Sequence, residues 1–440
     1  MKTNEYTLSQ IAMNEMKEFA LYTINARAIP NLLDGMKPVQ RFYLYSSLQE
    51  SKKEFEKVSA VAGVISKYGY NHGEVSAEGA GKLMAAEWNN NICLIEGQGG
   101  FGSRQIQEAG ASRYVKTRVH ENFFQYVKDI DLAPEHVDPE HQPPSFYIPV
   151  IPLVLANGVK GIATAFATNI LPRDPKDIAR ACEEYVKTGK ISKKVKVKFP
   201  HFRGNVEYDA TESRYYCYGI YEKPSDTKMI IREIPYGFDR ESYIKVLDKL
   251  EEKGEVTSYE EQSDKSGFLF EVKLKRNSSA KWNRDRILKE FKLVKTHVEN
   301  LTVIDWNDTL REYDDERELI KDFCEYRNEI LDKRIKLRIQ ELTENSRWLK
   351  IKMQFIQAVL DGNILFKNKK KSDVTKQIFD NTEAIDDDID PLLRISIVNL
   401  TDELVNELRN KIKEISETLK YWKSTTPKEQ FLNDLKEMPT

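Results

Sequence analysis

The chain of 440 residues is long enough for two to four domains with real cores, and its 40% apolar content excludes a disordered polymer. Lys and Arg total 68 against 70 Asp and Glu, a formal net charge of -2, which argues against a generic nucleic-acid coat and permits a localised basic groove. Cys93, Cys182, Cys217 and Cys324 form no C-x-x-C pair, so neither a zinc knuckle nor a disulfide framework is supported; they read as buried thiols of a reducing cytoplasm. The N-terminus lacks an apolar signal core, and no apolar run reaches the roughly 18 residues of a membrane span, so a soluble intracellular protein without membrane contact is expected.

Residues 4–50 read as helical with a break at Pro30. The stretch from Asn25 to Arg41 is rich in turn formers and feeds a helix whose first turn suits Pro38. Arg27, Lys37 and Arg41 then surround a helix N-terminus, a place that favours phosphate, although an ordinary solvated loop has the same spacing. Residues 52–66 predict a helix with an apolar face at Phe55, Val58, Val61 and Ile65. A short turn carrying Gly69, His72 and Gly73 leads to a second helix, Glu74 to Trp88, with small residues along one side (Ala77, Ala80, Gly81, Ala85). Helix, Gly-containing turn and second helix is the pattern of helix-turn-helix DNA binders.

Behind the apolar run Ile92–Ile95 comes GQGGFGSRQIQEAGASRYVKTR, from Gly97 to Arg118. Gly97, Gly99 and Gly102 have the spacing of a dinucleotide-binding turn, but that reading needs a crossover helix and a second parallel strand. The alternative is a loop that lets a backbone approach phosphates and presents a tyrosine among cations. A phenol with an ordinary pKa of about 10 is a weak nucleophile until nearby positive charge favours the phenolate. Arg113, Lys116 and Arg118 place such charge around Tyr114, and an arginine can hold a phosphodiester through two parallel N–H bonds.

Residues 131–149 are Pro-rich and acidic, a connector whose two histidines read as a solvated loop rather than a metal site. From Ile148 a buried strand and a Gly/Ala-rich turn are expected, and from Arg173 to Arg203 ten Lys/Arg stand against four Asp/Glu. Residues 205–310 alternate strands (Lys228–Glu233, Gly267–Leu274) with a helix (Arg240–Gly254). From Leu319 an apolar seam runs to Leu360 and stops at Asp361-Gly362, a helix roughly 60 Å long at about 1.5 Å per residue. A second seam, Leu404 to Trp422, starts behind Thr401 as N-cap, and the two together read as an antiparallel coiled-coil arm. The run Asp386–Asp390 between them reads as a surface loop.

The segments ARAIPNLLDGMKPVQR, KYGYNHGEVSA, IEGQGGFGSR and AGASRYVKTR occur in an order and near a spacing that resembles type IIA DNA topoisomerases. The likeness is to the breakage-reunion region shared by the gyrase A subunit and the C-terminal half of eukaryotic topoisomerase II, most of all to a bacteriophage form. It covers almost the whole chain and is sharpest before residue 175. Gln40-Arg41, His72-Gly73-Glu74 and Phe101-Gly102-Ser103-Arg104 look more like the eukaryotic pattern than the gyrase one, which has a histidine at the place of Gln40.

That resemblance implies an α+β multidomain fold. Residues 1–135 would form a winged-helix cleavage domain, 136–310 an α/β tower, and 311–440 a coiled-coil arm with a dimerisation gate near 363–400. It implies Tyr114 as nucleophile and Arg113 as its catalytic neighbour, with Arg27, Lys37 and His72 gripping phosphates. Gln40, Arg41, Ser76, Gln98, Ser103, Arg104, Arg118 and Thr164 are candidate DNA contacts, and Ile162 a wedge that intercalates and bends the duplex. A homodimer acting on double-stranded DNA follows. No G-x-x-x-x-G-K-[ST] loop and no E-G-D-S block are present. Mg2+ and ATP are therefore expected on a separate ATPase and metal-binding subunit, with none of the metal ligands in this chain. A DNA-bending architectural protein without chemistry is the competing reading.

Overall fold

The structure, a computed structural model, describes residues 16–276, 282–396 and 400–439. Residues 4–15 of the expected N-terminal helix lie outside the described residues. The chain divides into two compact units, 1–327 with 434–440, and 328–433.

In the first unit a short helix, α1 (Lys17–Thr23), runs into a π-helical turn, Ile24–Ala28. The turn stops at Ile29, which is extended as the residue before a proline must be. Residues 30–34 are buried, and Gly35, at φ +67, packs so closely on the Val154 backbone that a Cβ would sit 2.6 Å from it. Pro38 then opens α2 (Pro38–Glu50), with the Gln40 side chain accepting from the Lys37 N–H at the cap.

The expected helix over 52–66 is shorter. Residues Glu56–Lys57 pair with a later strand as β1, and α3 (Val58–Gly63) begins only after them. Phe55 leaves the predicted apolar face and lies under the Arg118 guanidinium, 4.4 Å from it. The second helix, α4 (Glu74–Met84), ends four residues earlier than expected. Its small face has a cause: Gly81 lies against the ring of the fully buried Tyr43 on α2. β2 (Ile95–Gln98) and β3 (Lys116–Val119) complete an antiparallel three-stranded sheet of order β1-β3-β2. β2 returns directly to an antiparallel neighbour, so the Gly97–Gly102 turn is not a dinucleotide-binding crossover.

After α5 (Glu121–Tyr126) the run from Ile148 is buried as expected, but only Pro149 makes a bridge to Val127. Two prolines within four residues remove the donors a strand needs, and Pro152 starts a short helix instead, α6 (Leu153–Asn157). A hairpin follows, β4 (Val159–Ile162) with β5 (Ala167–Ile170), and then α7 (Pro175–Thr188) capped by Asp174.

Strands β6 (Asn205–Asp209), β7 (Arg214–Tyr218) and β12 (Val294–His297) form one antiparallel sheet. β8 (Ile220–Ser225), β9 (Lys228–Glu233), β10 (Val256–Glu261) and β11 (Phe270–Leu274) form another, in order β10-β11-β9-β8. Helices α8 (Arg240–Glu252) and α9 (Arg284–Glu290) close a core of Ile231, Tyr243, Leu247, Phe270 and Phe291 over it. The hairpin β13 (Leu301–Ile304) with β14 (Leu310–Tyr313) leads into the long helix α10 (Glu316–Leu360).

The second unit holds the later part of α10, then α11 (Lys371–Asn381), α12 (Asp386–Leu393) and α13 (Asp402–Ser424). Ile351, Phe355, Ile378, Leu392, Val405 and Leu408 form its core. Thr401 caps α13 by accepting from the Leu404 N–H at 3.2 Å. The Asp386–Asp390 run is not a loop. It begins α12, where acids suit the positive helix end, and the buried Asp388 takes two bonds from Arg347 at 2.9 and 3.0 Å. The last helix, α14 (Pro427–Lys436), brings residues 434–440 back to the first unit. Among the described residues no helix is long and apolar enough to cross a membrane.

Candidate functional site

Tyr114 ends a tight turn in the β2–β3 connection, closed by its N–H on the Ala111 carbonyl at 2.9 Å. Both flanks of the turn are fixed. The Ser112 hydroxyl donates to Glu78 on α4 at 2.7 Å, and the carbonyls of Ser112 and Val115 accept from the start of α3. Between these anchors the Tyr114 side chain is 72% exposed, and among the described residues its hydroxyl has no hydrogen-bond partner. The exposed Arg113 guanidinium lies 4.7 Å from the Tyr114 ring centre, a cation–π contact that keeps a charge beside the phenol.

Of the other two cations predicted there, Lys116 is half-buried and Arg118 is already matched. Arg118 donates to Glu96 at 2.8 Å. Gln98, exposed at the end of β2, stands opposite Lys116.

A second group gathers around the π-helical turn. A π-helical turn gives Arg27 a position that regular helix spacing would not, and such turns recur at functional sites. The Arg27 Nη2 lies 3.3 Å from His72 Nδ1, and the Tyr22 hydroxyl 2.7 Å from His72 Nε2. A guanidinium only donates, so Nδ1 accepts and a neutral ring carries its proton on Nε2, aimed at Tyr22. Burial first, then Arg27 and His141, lower the His72 pKa and favour that neutral ring. Tyr22 was not among the sequence candidates: a lone exposed tyrosine gives no signal.

Lys37 is half-buried at the α2 N-terminus, and burial lowers its pKa. Its ammonium donates to the Lys160 carbonyl on β4 at 2.8 Å. On the same strand a Cβ on Gly161 would lie 2.0 Å from the Ala28 carbonyl, so only glycine lets the hairpin seat against the turn bearing Arg27. Beyond it Ile162 is 80% exposed, and Thr164 in the hairpin turn lies 3.4 Å from Thr23. The structure thus brings Arg27, Lys37, His72, Ile162 and Thr164 onto connected backbone, while Tyr114 and Arg113 sit on the β2–β3 loop.

Two expected DNA contacts face inward. Arg41 is buried and pairs with Asp34 at 2.9 and 3.1 Å, shaping the loop between Arg27 and Lys37. Arg104 is buried, donates to Glu233 at 2.8 Å and is ringed by Phe202, Tyr236 and Phe268. Gln40 spends its carbonyl on the α2 cap. Ser103 accepts from the backbone of Gln105 and Ile106, and the exposed Ser76 hydroxyl donates to the Gly73 carbonyl. Among the described residues no group of three or more His, Cys, Asp or Glu could hold a metal. The donor set at the site is arginine, lysine, histidine and tyrosine without a carboxylate, which does not fit Mg2+.

The family model for the A subunit of DNA gyrase/topoisomerase IV matches residues 27–438. A DNA topoisomerase medium subunit from Enterobacteria phage T4 is 40% identical over 446 residues, covering all of both chains. DNA topoisomerase 2 from Plasmodium falciparum is 27% identical over 94% of this chain, which spans 33% of that protein's length. The crystal structure of the Plasmodium falciparum topoisomerase II DNA-binding, cleavage and re-ligation domain superposes with a TM-score of 0.86 at 27% identity, over 95% of this chain and 62% of that one.

Proposed function

The chain belongs to the type II DNA topoisomerases, in the family of DNA gyrase/topoisomerase IV A subunits, and on that premise we propose that it is the subunit that cuts and rejoins DNA. The observation that carries the proposal is the Tyr114 hydroxyl, exposed and without a partner among the described residues, on a loop pinned at both flanks and beside Arg113.

Its oxygen attacks the phosphorus of a phosphodiester. A bond forms between the Tyr114 oxygen and the 5′-phosphate, the bond to the 3′ oxygen breaks, the phenol loses its proton, and the departing 3′ oxygen gains one. The ester stores the broken bond's energy, so the 3′-hydroxyl reverses the step without ATP. Arg113 places charge where the phosphoryl oxygens become more negative. Arg27 and Lys37 supply donors for adjoining phosphates, His72 joins them when its Nε2–H exchanges the Tyr22 hydroxyl for a phosphate oxygen, and Ile162 unstacks a base step to bend the duplex. Arg41 and Arg104 act through the fold, holding the Arg27–Lys37 loop and the base of the Tyr114 loop.

Two copies, one per strand, would open a gate for a second duplex. Within each, residues 1–135 would serve as the winged-helix cleavage domain, 136–310 as the tower, and 311–440 as a coiled-coil arm joining the copies near 363–400. Mg2+ and ATP would be held by a separate subunit, in the cytoplasm of the cell in which the DNA is handled.

The test is detergent quenching of the assembled enzyme on plasmid followed by nuclease trimming. The wild-type chain is expected to remain attached to a DNA remnant, and Tyr114→Phe to lose the adduct while binding duplex almost unchanged. An adduct in the phenylalanine variant would remove Tyr114 from the role. Its absence from the wild type as well would favour a DNA-bending architectural protein.

A further inference from the structure

The place of the Tyr114 oxygen is set by backbone. Its side chain is 72% exposed and, among the described residues, makes no hydrogen bond, so the turn 111–114 decides where the phenol stands. Arg113 lies over the ring but is itself exposed, so it follows the turn rather than fixing it.

Two helices hold that turn, and they do so differently. α3 holds it through backbone: the N–H groups of Val58 and Ser59 donate to the carbonyls of Val115 and Ser112 at 3.1 and 3.2 Å. α4 holds it through one side-chain pair, the Ser112 hydroxyl donating to Glu78 Oε2 at 2.7 Å. Among the described residues this is the one side-chain hydrogen bond made by residues 110–115. A hydroxyl donating to a carboxylate makes a bond about twice as strong as a neutral pair. Ser112 is buried and Glu78 half-buried, which shields the bond from water.

Among the described residues no cation pairs with Glu78. A carboxylate without a counter-charge weakens attraction to a polyanion, so what Glu78 contributes lies in the contact it makes. α4 is a firm post for that contact. Ala77 and Gly81, on either side of Glu78 in the sequence, are buried, and Gly81 lies against the Tyr43 ring, whose hydroxyl is tied to Thr117 on β3 at 2.7 Å.

We propose that Glu78 is a positioning residue for DNA cleavage, acting through Ser112 to keep the Tyr114 turn at a fixed distance from α4. The helix that follows His72 and carries Ser76 then moves as one piece with the loop that carries the nucleophile. This rests on the reading of Tyr114 as nucleophile and adds a residue outside the segments that carry the family resemblance.

The test is the rate at which the assembled enzyme forms the detergent-trapped adduct in a single turnover, measured beside its duplex affinity. Glu78→Ala is expected to slow adduct formation by about 10–100-fold, as a shift of about 1 Å in a reacting group does. Duplex affinity is expected to be unchanged or slightly higher, since a negative charge is removed. Ser112→Ala is expected to slow the step similarly. Glu78→Gln keeps an acceptor oxygen and is expected to regain most of the rate. Both side chains act through one bond, so the double variant Glu78→Ala/Ser112→Ala is expected to be no slower than the slower single. A wild-type rate in either alanine variant would overturn the proposal. So would losses that multiply in the double variant, a glutamine variant as slow as the alanine one, or a loss of rate matched by an equal loss of duplex affinity, the mark of a role in folding alone. No adduct in the wild type would instead defeat the Tyr114 reading, so the two failures are separable.

Discussion

His297 sits two residues beyond Lys295 on β12, tilted against Phe199 at 5.2 Å, with its Nε2 buried and, among the described residues, without a hydrogen-bond partner. Burial, followed by Lys295, pushes its pKa down to about 4, with Tyr236 opposing and Lys160 assisting. In the unfolded chain the ring titrates near 6.5. As pH falls below that value the unfolded state takes up a proton that the folded state refuses. The stability contribution is therefore full above about 6.5 and is lost progressively down to about 4. At pH 5 this amounts to on the order of 2 kcal/mol. His297→Gln is expected to flatten that part of the acid response, read as a smaller shift in urea midpoint between pH 7 and pH 5 than in wild type. An equal shift would mean that His297 is not the group responsible. At this scale the sequence was legible for chemistry and not for depth. Tyr114 and Arg113 are displayed, whereas Arg41 and Arg104 share the same residue type and are buried. Asp34 lies only seven residues from Arg41, within one turn-rich segment. Glu233 lies 129 residues from Arg104, and no local pattern joins the two.

The contact between α2 and α4 shows how an element is positioned by what it lacks. A Cβ on Gly81 would lie 2.2 Å from the Tyr43 ring, which is fully buried and tied by its hydroxyl to Thr117 on β3 at 2.7 Å. That ring has no room to retreat. Gly81→Ala is expected to destabilise by about 1–3 kcal/mol of overpacking, less up to about 1 kcal/mol of helix propensity regained. Gly79, two residues earlier on the same helix, has nothing within 4 Å of its would-be Cβ. Gly79→Ala should therefore be neutral or stabilising by up to about 1 kcal/mol. Opposite signs in the two urea midpoints check the argument, and two stabilising alanines would contradict it. The small face of α4 could be read from the sequence, but its partner could not. The same limit shortened the 52–66 helix: apolar spacing cannot show that Glu56 and Lys57 are claimed by β3, about 60 residues away in the register Glu56–Thr117, until the sheet exists. Prolines at 149 and 152 were visible, and their missing N–H groups are why the buried run after Ile148 became a helix rather than a strand.

At the scale of the molecule, the chain leaves its first unit along α10 and returns to it at residue 434. The 45-residue helix was legible because its seam persists for many turns, and Gly362 at φ +74 marks the stop that the sequence announced. The return was not legible, because it is made by charges far apart in sequence. Arg327 is fully buried and donates to Asp434 at 2.6 Å, to Asp129 at 3.2 Å and to the Pro149 carbonyl at 2.9 Å. One guanidinium thus holds three segments of the chain, including its last turn of helix. Removing Asp434 still leaves Arg327 paired with Asp129, so the loss is that of a hydrogen bond between charged groups in a buried network, about 1.5–3 kcal/mol. Asp434→Ala is therefore expected to destabilise by about that much, and to raise amide exchange in α14 and around Asp129 before it does so in the core of Phe355 and Leu392. Lys128, at 3.6 Å from Asp434, is an outer member of the same network and is partly exposed, so Lys128→Ala should cost no more than about 1 kcal/mol. If the two variants unfold at the same urea concentration, with exchange unchanged around Asp129, the C-terminal return does not depend on the buried arginine.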